Sequence, residues 1–389
     1  MNILEGLTDE QAEAVDHKEG PLLIIAGAGT GKTSVITRRI AWLIAEKLAR
    51  PEEILAVTFT EKAASEMEER VDVLVPYGFT NCAISTFHAF GDRILRDNAL
   101  ELGLIPDFRV LSKPEQVIFL RENLFKLPLQ RYRPLGNPVR YLQALATFIS
   151  RCKDEEIAPN EYLPFVQTLP ETSDEEREPK AKQRELAGSF KVYDGMMKEA
   201  GFIDYGDQII LVLKLFREHP DILKAYQERF RYILIDEFQD TNFSQFQLIK
   251  LLVANRQNLT VVADDDQSIF KFRGASISNI LNFQTSFPGH KKVVLTKNFR
   301  SSQVILDSAY RLIQYNNPDR LEYYAGVNKR LISSSEGAEK PPTFILHNSV
   351  SSEADGVANL IAQKIKEGAN PKDFAILVRS NSAADPFIK

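Results

Sequence analysis

The chain has 389 residues, 44% of them hydrophobic and 26% charged, with a formal net charge of −5. At roughly 150 residues per domain this is two or three domains, each able to bury a core, and the composition excludes collagen-like, disordered and disulfide-built chains. The acidic balance excludes a uniformly basic nucleic-acid coat but not a local basic groove. Two cysteines, Cys82 and Cys152, suit a reducing cytoplasm, and no signal-peptide pattern or apolar run near the ~20 residues of a membrane span occurs.

Apolar runs and helical spacing alternate through the first third. Pro21–Ala26 reads as a buried parallel strand ending in glycines, followed by a helix over Lys32–Lys47. Ile54–Phe59 is a second strand and Glu61–Leu74 a second helix. Cys82–Ser85 and Phe87–Leu102 repeat the pattern. This rhythm predicts a parallel sheet covered by helices. From about 103 to 205 helical spacing dominates and no strand is expected. Within it, residues 154–185 hold ten Asp/Glu against four Lys/Arg together with four prolines, and read as a solvated loop with helix ends. Strand signals resume at Tyr232–Asp236, Leu259–Ala263 and Lys292–Leu295, then a helix at Gln303–Tyr315. Strands are expected again at Phe344–Leu346 and Phe374–Val378, with a helix over Ala354–Lys366 between them.

The strongest chemical signal is Ala26-Gly27-Ala28-Gly29-Thr30-Gly31-Lys32-Thr33, between a strand and a helix. Glycines there let backbone N–H groups turn inward around phosphate oxygens, and the helix N-terminus adds its positive end. Lys32 is placed to reach β- and γ-phosphates and the Thr33 hydroxyl to hold Mg²⁺; Ala26 replaces the usual first glycine. Asp236 and Glu237 end an apolar strand, where Asp236 suits a Mg²⁺ site and Glu237 a general base for water. That base favours hydrolysis over transfer to another acceptor. Asp264-Asp265-Asp266-Gln267 ends a further strand. Its acids read either as a metal cluster or as charges balanced by Lys271 and Arg273, and Gln267 as a contact to a γ-phosphate or its attacking water. Arg300, in Asn298-Phe299-Arg300-Ser301-Ser302, suits charge developing on a phosphoryl group. Phe59, Phe87 and the Phe270–Arg273 segment are either core or stacking platforms for single-stranded nucleic acid. His88 is open between core, phosphate and DNA contact.

In order and spacing these blocks resemble the N-terminal part of superfamily 1 DNA helicases of the UvrD/Rep/PcrA type, from Leu7 to about Ser382. Leu7–Gln11 is similar to the Q motif, Ala26–Thr33 to motif I, Thr58–Ala64 to motif Ia and Ser85–His88 to motif Ib. Asp236–Asp240 is similar to motif II, Asp264–Ala275 to motif III and Asn298–Ser302 to motif IV. The resemblance implies an α/β P-loop NTPase fold: a RecA-like lobe (1–102 and 206–283), a helical insertion (103–205) and a partial second RecA-like lobe (284–389) that stops before motifs V and VI. It implies Gln11 as the adenine reader, Phe299 as the adenine-stacking ring, and Gln267 and Arg300 as γ-phosphate sensors. Thr86, Phe87, His88, Phe59, Phe272 and Arg273 become candidate DNA contacts. The implied activity is Mg·ATP-driven translocation, 3′→5′, on single-stranded DNA or a single-strand/duplex junction, in repair, replication or recombination. The competing readings are a regulatory nucleotide-binding module and the motor part of a helicase–nuclease fusion. As given, the chain is expected to bind nucleotide weakly and unwind little.

Overall fold

The computed structural model describes residues 2–75, 81–171, 173–253, 256–268, 277–335 and 340–388. The chain divides into two units, Met1–Gly337 and Ala338–Lys389. The first begins with α1 (Asp9–Val15), β1 (Leu22–Ala26), α2 (Lys32–Ala45), β2 (Ile54–Thr58), α3 (Glu61–Leu74), β3 (Ala83–Thr86) and α4 (Phe87–Asp97). It continues through β4 (Arg109–Leu111), α5 (Lys113–Glu122), α6 (Leu142–Asp154), α7 (Pro159–Thr168), α8 (Asp174–Glu199), β5 (Phe202–Asp204), α9 (Tyr205–Glu218) and α10 (Pro220–Arg229). It closes with β6 (Tyr232–Ile235), α11 (Phe243–Val253), β7 (Leu259–Ala263), α12 (Ile277–Ser286), β8 (Lys291–Leu295), β9 (Lys297–Asn298), α13 (Gln303–Ile313), α14 (Leu321–Ala325) and β10 (Ile332–Ser333).

Six parallel strands form the central sheet in the order β3-β2-β6-β7-β1-β8. Strand geometry sends alternate side chains to opposite faces. Leu22, Ile24 and Ala26 of β1 therefore pack with Val35 and Ile40 of α2 and Met67 and Val71 of α3. Leu23 and Ile25 join Phe90 and Ile94 of α4, Val212 and Phe216 of α9, and Phe246 of α11 on the other face. Both faces are covered, which is why the strands read as unbroken apolar runs. The expected parallel sheet, β7 and α3 form as the sequence predicts.

Four expectations need correction. The stretch 103–205 contains strands after all: β4 and β5 pair in parallel, Arg109 opposite Phe202 and Leu111 opposite Asp204. At three residues each they are too short to show a period. The acidic stretch 154–185 is mostly helix, with Pro159 at the start of α7, where its missing N–H costs nothing, and Pro164 and Pro179 inside α7 and α8. Lys291–Leu295, read as part of a second lobe beginning at 284, pairs with β1 as the sixth strand of the first sheet. In the second unit, α15 (Val350–Lys366) and the short α16 (Asp385–Ile388) are present. The expected strands at Phe344–Leu346 and Phe374–Val378 are not: these residues have no ladder partner among the described residues, and Phe344 and Leu377 stay exposed.

Candidate functional site

Strands β1, β6 and β7 are neighbours, so the loops after them meet at one sheet edge. After β1, the chain turns through Gly29 (φ 77°) and Gly31 (φ 86°), left-handed conformations that glycine adopts without strain. Space is equally restrictive. A β-carbon on Gly29 would lie 2.6 Å from Asn298 Nδ2, and one on Gly31 2.8 Å from Gln11 Nε2. Gly27 faces Leu331, and Thr30 is buried with its hydroxyl donating to the Gly27 carbonyl at 2.8 Å. Ala26 is the last, fully buried residue of β1, so its methyl fills core and does not obstruct the loop. Two loop carbonyls are held from outside: Asn298 Nδ2 donates to Ala28 at 2.6 Å and the Phe299 N–H to Gly29 at 2.9 Å. Lys32 and Thr33 open the first turn of α2.

Gln11 belongs to a reciprocal cap on α1. Its Oε1 accepts from the Thr8 N–H at 3.0 Å, while the Thr8 hydroxyl accepts from the Gln11 N–H. Its Nε2 donates to the Thr30 carbonyl at 2.8 Å, so the side chain is buried against the phosphate loop. Beside it an open cleft is lined by Gly6–Glu10, Lys297 and Phe299, with the Lys297 ammonium 5.7 Å from the Phe299 ring centre. Phe299 is 49% exposed. Arg300 is exposed, and its Cβ would sit 2.8 Å from a Gly29 β-carbon, which puts it at the loop.

After β6, Asp236 is buried and accepts from the Glu237 N–H at 3.0 Å. Burial, then the Glu237 charge, pushes its pKa up to about 6, against the pull of Lys32. Glu237 has φ 48°, and its Oε2 accepts from Lys32 Nζ at 2.9 Å and Gln239 Nε2 at 2.7 Å. A glycine cradle, a buried acid with raised pKa and a threonine on the adjoining helix turn are a donor set that fits a phosphate chain with a hydrated divalent cation.

After β7, Asp264, Asp265 and Asp266 form an acidic cluster, and Lys271 and Arg273, the cations expected to balance it, lie outside the described residues. Lys329 fills it: its ammonium is 2.9 Å from Asp264 Oδ1, 2.9 Å from Asp266 Oδ2, and bonded to Asp265. Arg320 grips Asp266 with two bonds of 2.8 Å. The metal-cluster alternative thus gives way to an ammonium occupying that position. Gln267 Nε2 donates to Asp264 Oδ2 at 2.5 Å, and the Asp264 N–H donates to Gln239 Oε1 at 3.0 Å. A continuous chain of bonds thus runs from Lys32 through Glu237, Gln239 and Asp264 to Gln267 and Lys329.

At the same sheet edge, beyond β2 and β3, Thr58, Phe59, Thr60, Phe87, His88, Tyr205 and Gln245 line a cleft of about 340 Å³. Thr58 Oγ1 there is buried with no hydrogen-bond partner among the described residues. Phe87 is only 6% exposed and belongs to the main core, so it is a wall of this cleft and not a stacking platform. Thr86 is committed to structure: its hydroxyl donates to Glu61 at 2.7 Å and accepts from Ala89 N–H as the cap of α4. His88 meets Tyr205 edge-on at 5.4 Å, and burial lowers its pKa, keeping it neutral. Phe272 and Arg273 lie outside the described residues. Sequence reasoning missed Asn298, Gln239, Arg320, Lys329, Tyr205 and Gln245. Asn298 and Gln239 stood inside recognised blocks, but nothing in local spacing tied Arg320, Lys329 or Tyr205 to the site.

Residues 7–288 match the UvrD/REP helicase N-terminal domain and residues 293–389 the UvrD-like helicase C-terminal domain. The chain is 35% identical over 388 residues to the ATP-dependent DNA helicase PcrA of Leuconostoc citreum, covering 98% of this chain and 48% of that protein. It is 37% identical over 384 residues to DNA helicase II of Haemophilus influenzae, covering 98% and 49%. The PcrA of Staphylococcus epidermidis is 34% identical over 396 residues, covering 98% and 49%. The chain spans about half the length of these curated relatives. No helix among the described residues is long and apolar enough to cross a membrane.

Proposed function

The chain belongs to the UvrD/Rep helicase family, and from that premise we propose that it is the motor region of an ATP-dependent DNA helicase, coupling Mg·ATP hydrolysis to translocation on single-stranded DNA. The observation that carries the reading is the bonded chain Lys32–Glu237–Gln239–Asp264–Gln267 at the edge that also bears the Phe59–His88–Tyr205 cleft. Thr33 and Asp236 would hold Mg²⁺, which supplies charge neutralisation for the phosphates. Lys32, now paired with Glu237, would transfer its ammonium to the β- and γ-phosphates. That leaves the Glu237 carboxylate without its strongest partner, ready to take a proton from water. Gln267 and Arg300 would read the γ-phosphate. Phe299 would stack on adenine beside the Gly6–Glu10 cleft, and Gln11, whose amide is bonded here to Thr8 and Thr30, would read the adenine edge.

Phe59, His88 and Tyr205 contact the strand, with Thr86 and Phe87 shaping the cleft, which opens at the same sheet edge as the Lys32–Glu237 site. The division into a first lobe, an insertion at 103–205 and a second lobe is part of this reading, as are 3′→5′ polarity, junction DNA as substrate, a role in repair, replication or recombination, and a cytoplasmic setting. The test is Mg²⁺-dependent ATPase of the full-length protein with and without single-stranded DNA. DNA should stimulate turnover, and Glu237→Gln should lower kcat by about 10²–10⁴-fold while a fluorescent ATP analogue still binds. Turnover indifferent to DNA, or intact in Glu237→Gln, would overturn the motor and favour a regulatory nucleotide-binding module.

A further inference from the structure

One stretch of chain after α13 touches three of the blocks that build the nucleotide site. Arg320 and Lys329 hold the acids after β7. Leu331 lies against Gly27 of the phosphate loop. Ile332 and Ser333 pair with Lys297 and Asn298, and the Ser333 hydroxyl donates to the Ser301 carbonyl at 2.8 Å. Lys329 is the centre of this strap, its side chain 3% exposed among carboxylates that are 4%, 3% and 22% exposed.

Burying so many charges is not explained by stability, because well-packed apolar side chains in such a place are commonly as stable or more so. What a buried ion network supplies is orientation. Asp264 shows what is oriented. One carboxylate oxygen takes Lys329, the other takes Gln267 Nε2, and its backbone N–H reaches Gln239, which holds Glu237. A carboxylate pinned at Oδ1 presents Oδ2 in one direction, so the Gln267 amide has one place to donate.

Resting on the reading of Gln267 as γ-phosphate sensor, we propose that Lys329 is a positioning residue for hydrolysis: by pinning Asp264 it aims the Gln267 amide at the γ-phosphate. Lys329 touches neither nucleotide nor water in this role. Misaimed groups of this kind lose rate and not affinity.

The experiment is a double-mutant cycle on the DNA-stimulated ATPase of the full-length protein, with the melting midpoint of each variant as a folding check. Lys329→Met should lower kcat about tenfold with KM for ATP held within about twofold. Gln267→Ala should lower kcat at least as much, and the double variant no further than Gln267→Ala alone, since Lys329 then has nothing left to aim. A merely structural lysine would give losses that multiply, and that result, or an unchanged kcat in Lys329→Met, overturns the proposal. An unchanged kcat in Gln267→Ala by itself overturns the sensor reading underneath. Should Lys329→Met fail to fold, Asp264→Asn, which leaves Asp265 and Asp266 to hold Lys329, replaces it in the cycle with the same expected non-additivity and the same overturning result.

Discussion

Glu237 occupies a left-handed backbone conformation, φ 48°, that a residue with a β-carbon adopts at a cost of about 1 kcal/mol or more. The strain turns its carboxylate back onto Lys32 and Gln239. Under the proposed function, an acid held by Lys32 is a base withheld until a phosphate competes for that lysine. Elsewhere a single residue sets a pH dependence. Asp154 ends α6, accepts from Asn242 Nδ2 at 2.7 Å, and is pushed up to about 7 by burial, against the pull of Arg151 and that bond. A raised folded-state pKa means the acid favours the fold fully below its unfolded value near 4. That contribution is lost as pH rises through about 7. Asp154→Asn keeps the acceptor and removes the charge. It should match the wild type at pH 4 and exceed it by about 1–2 kcal/mol at pH 8, partial exposure screening the full shift. Urea unfolding at the two pH values checks this, and a constant difference between variants would contradict it.

At the scale of elements, the edge that carries the chemistry is a consequence of strand order. Parallel strands deliver their C-terminal ends to one side, and adjacency of β6, β7 and β1 puts Glu237, Asp264 and Lys32 within bonding reach. A buried polar knot ties helices α6 and α8 to the start of α9. Lys153 of α6 bonds Asp204 at 2.8 Å and Asp207 at 2.7 Å, and the Tyr193 hydroxyl of α8 donates to Asp204 at 3.1 Å. Asp204 also caps α9, whose first residue is the Tyr205 of the cleft. Lys153→Met strands two buried carboxylates, for which a loss of about 3–5 kcal/mol is expected. The urea midpoint should fall accordingly, with amide exchange accelerating first in β4, β5 and the start of α9. A loss below about 1 kcal/mol would show that the acids simply take up protons.

At the scale of the molecule, the charge of −5 is a sum of opposed regions: the acidic 154–185 stretch, and 291–330 with eight Lys/Arg against three Asp/Glu. Two of those cations are internal, since Arg320 and Lys329 are buried in ion pairs, so the stretch is less basic as a surface than as a sequence. The two units differ in kind. Met1–Gly337 has cores on both sheet faces, whereas no described residue of Ala338–Lys389 is buried. A helix without a buried face has little beyond its own hydrogen bonds to hold it. In hydrogen exchange on this 389-residue chain, amides of α15 should exchange at least about 100-fold faster than those of β1 and β7. Equal protection would contradict this. The parallel sheet, the glycine loop and the acids that end β6 and β7 were legible in the sequence, because apolar runs, glycines and terminal carboxylates are local patterns that survive in one dimension. Folding in three dimensions was needed to show that β8 closes the first sheet, that β4 and β5 pair, that Phe87 is core, and that Lys329 takes the place among the acids that a metal would fill. Those outcomes depend on which distant segments share a strand edge or a buried charge, and pairing across such separations leaves no periodic trace in either partner.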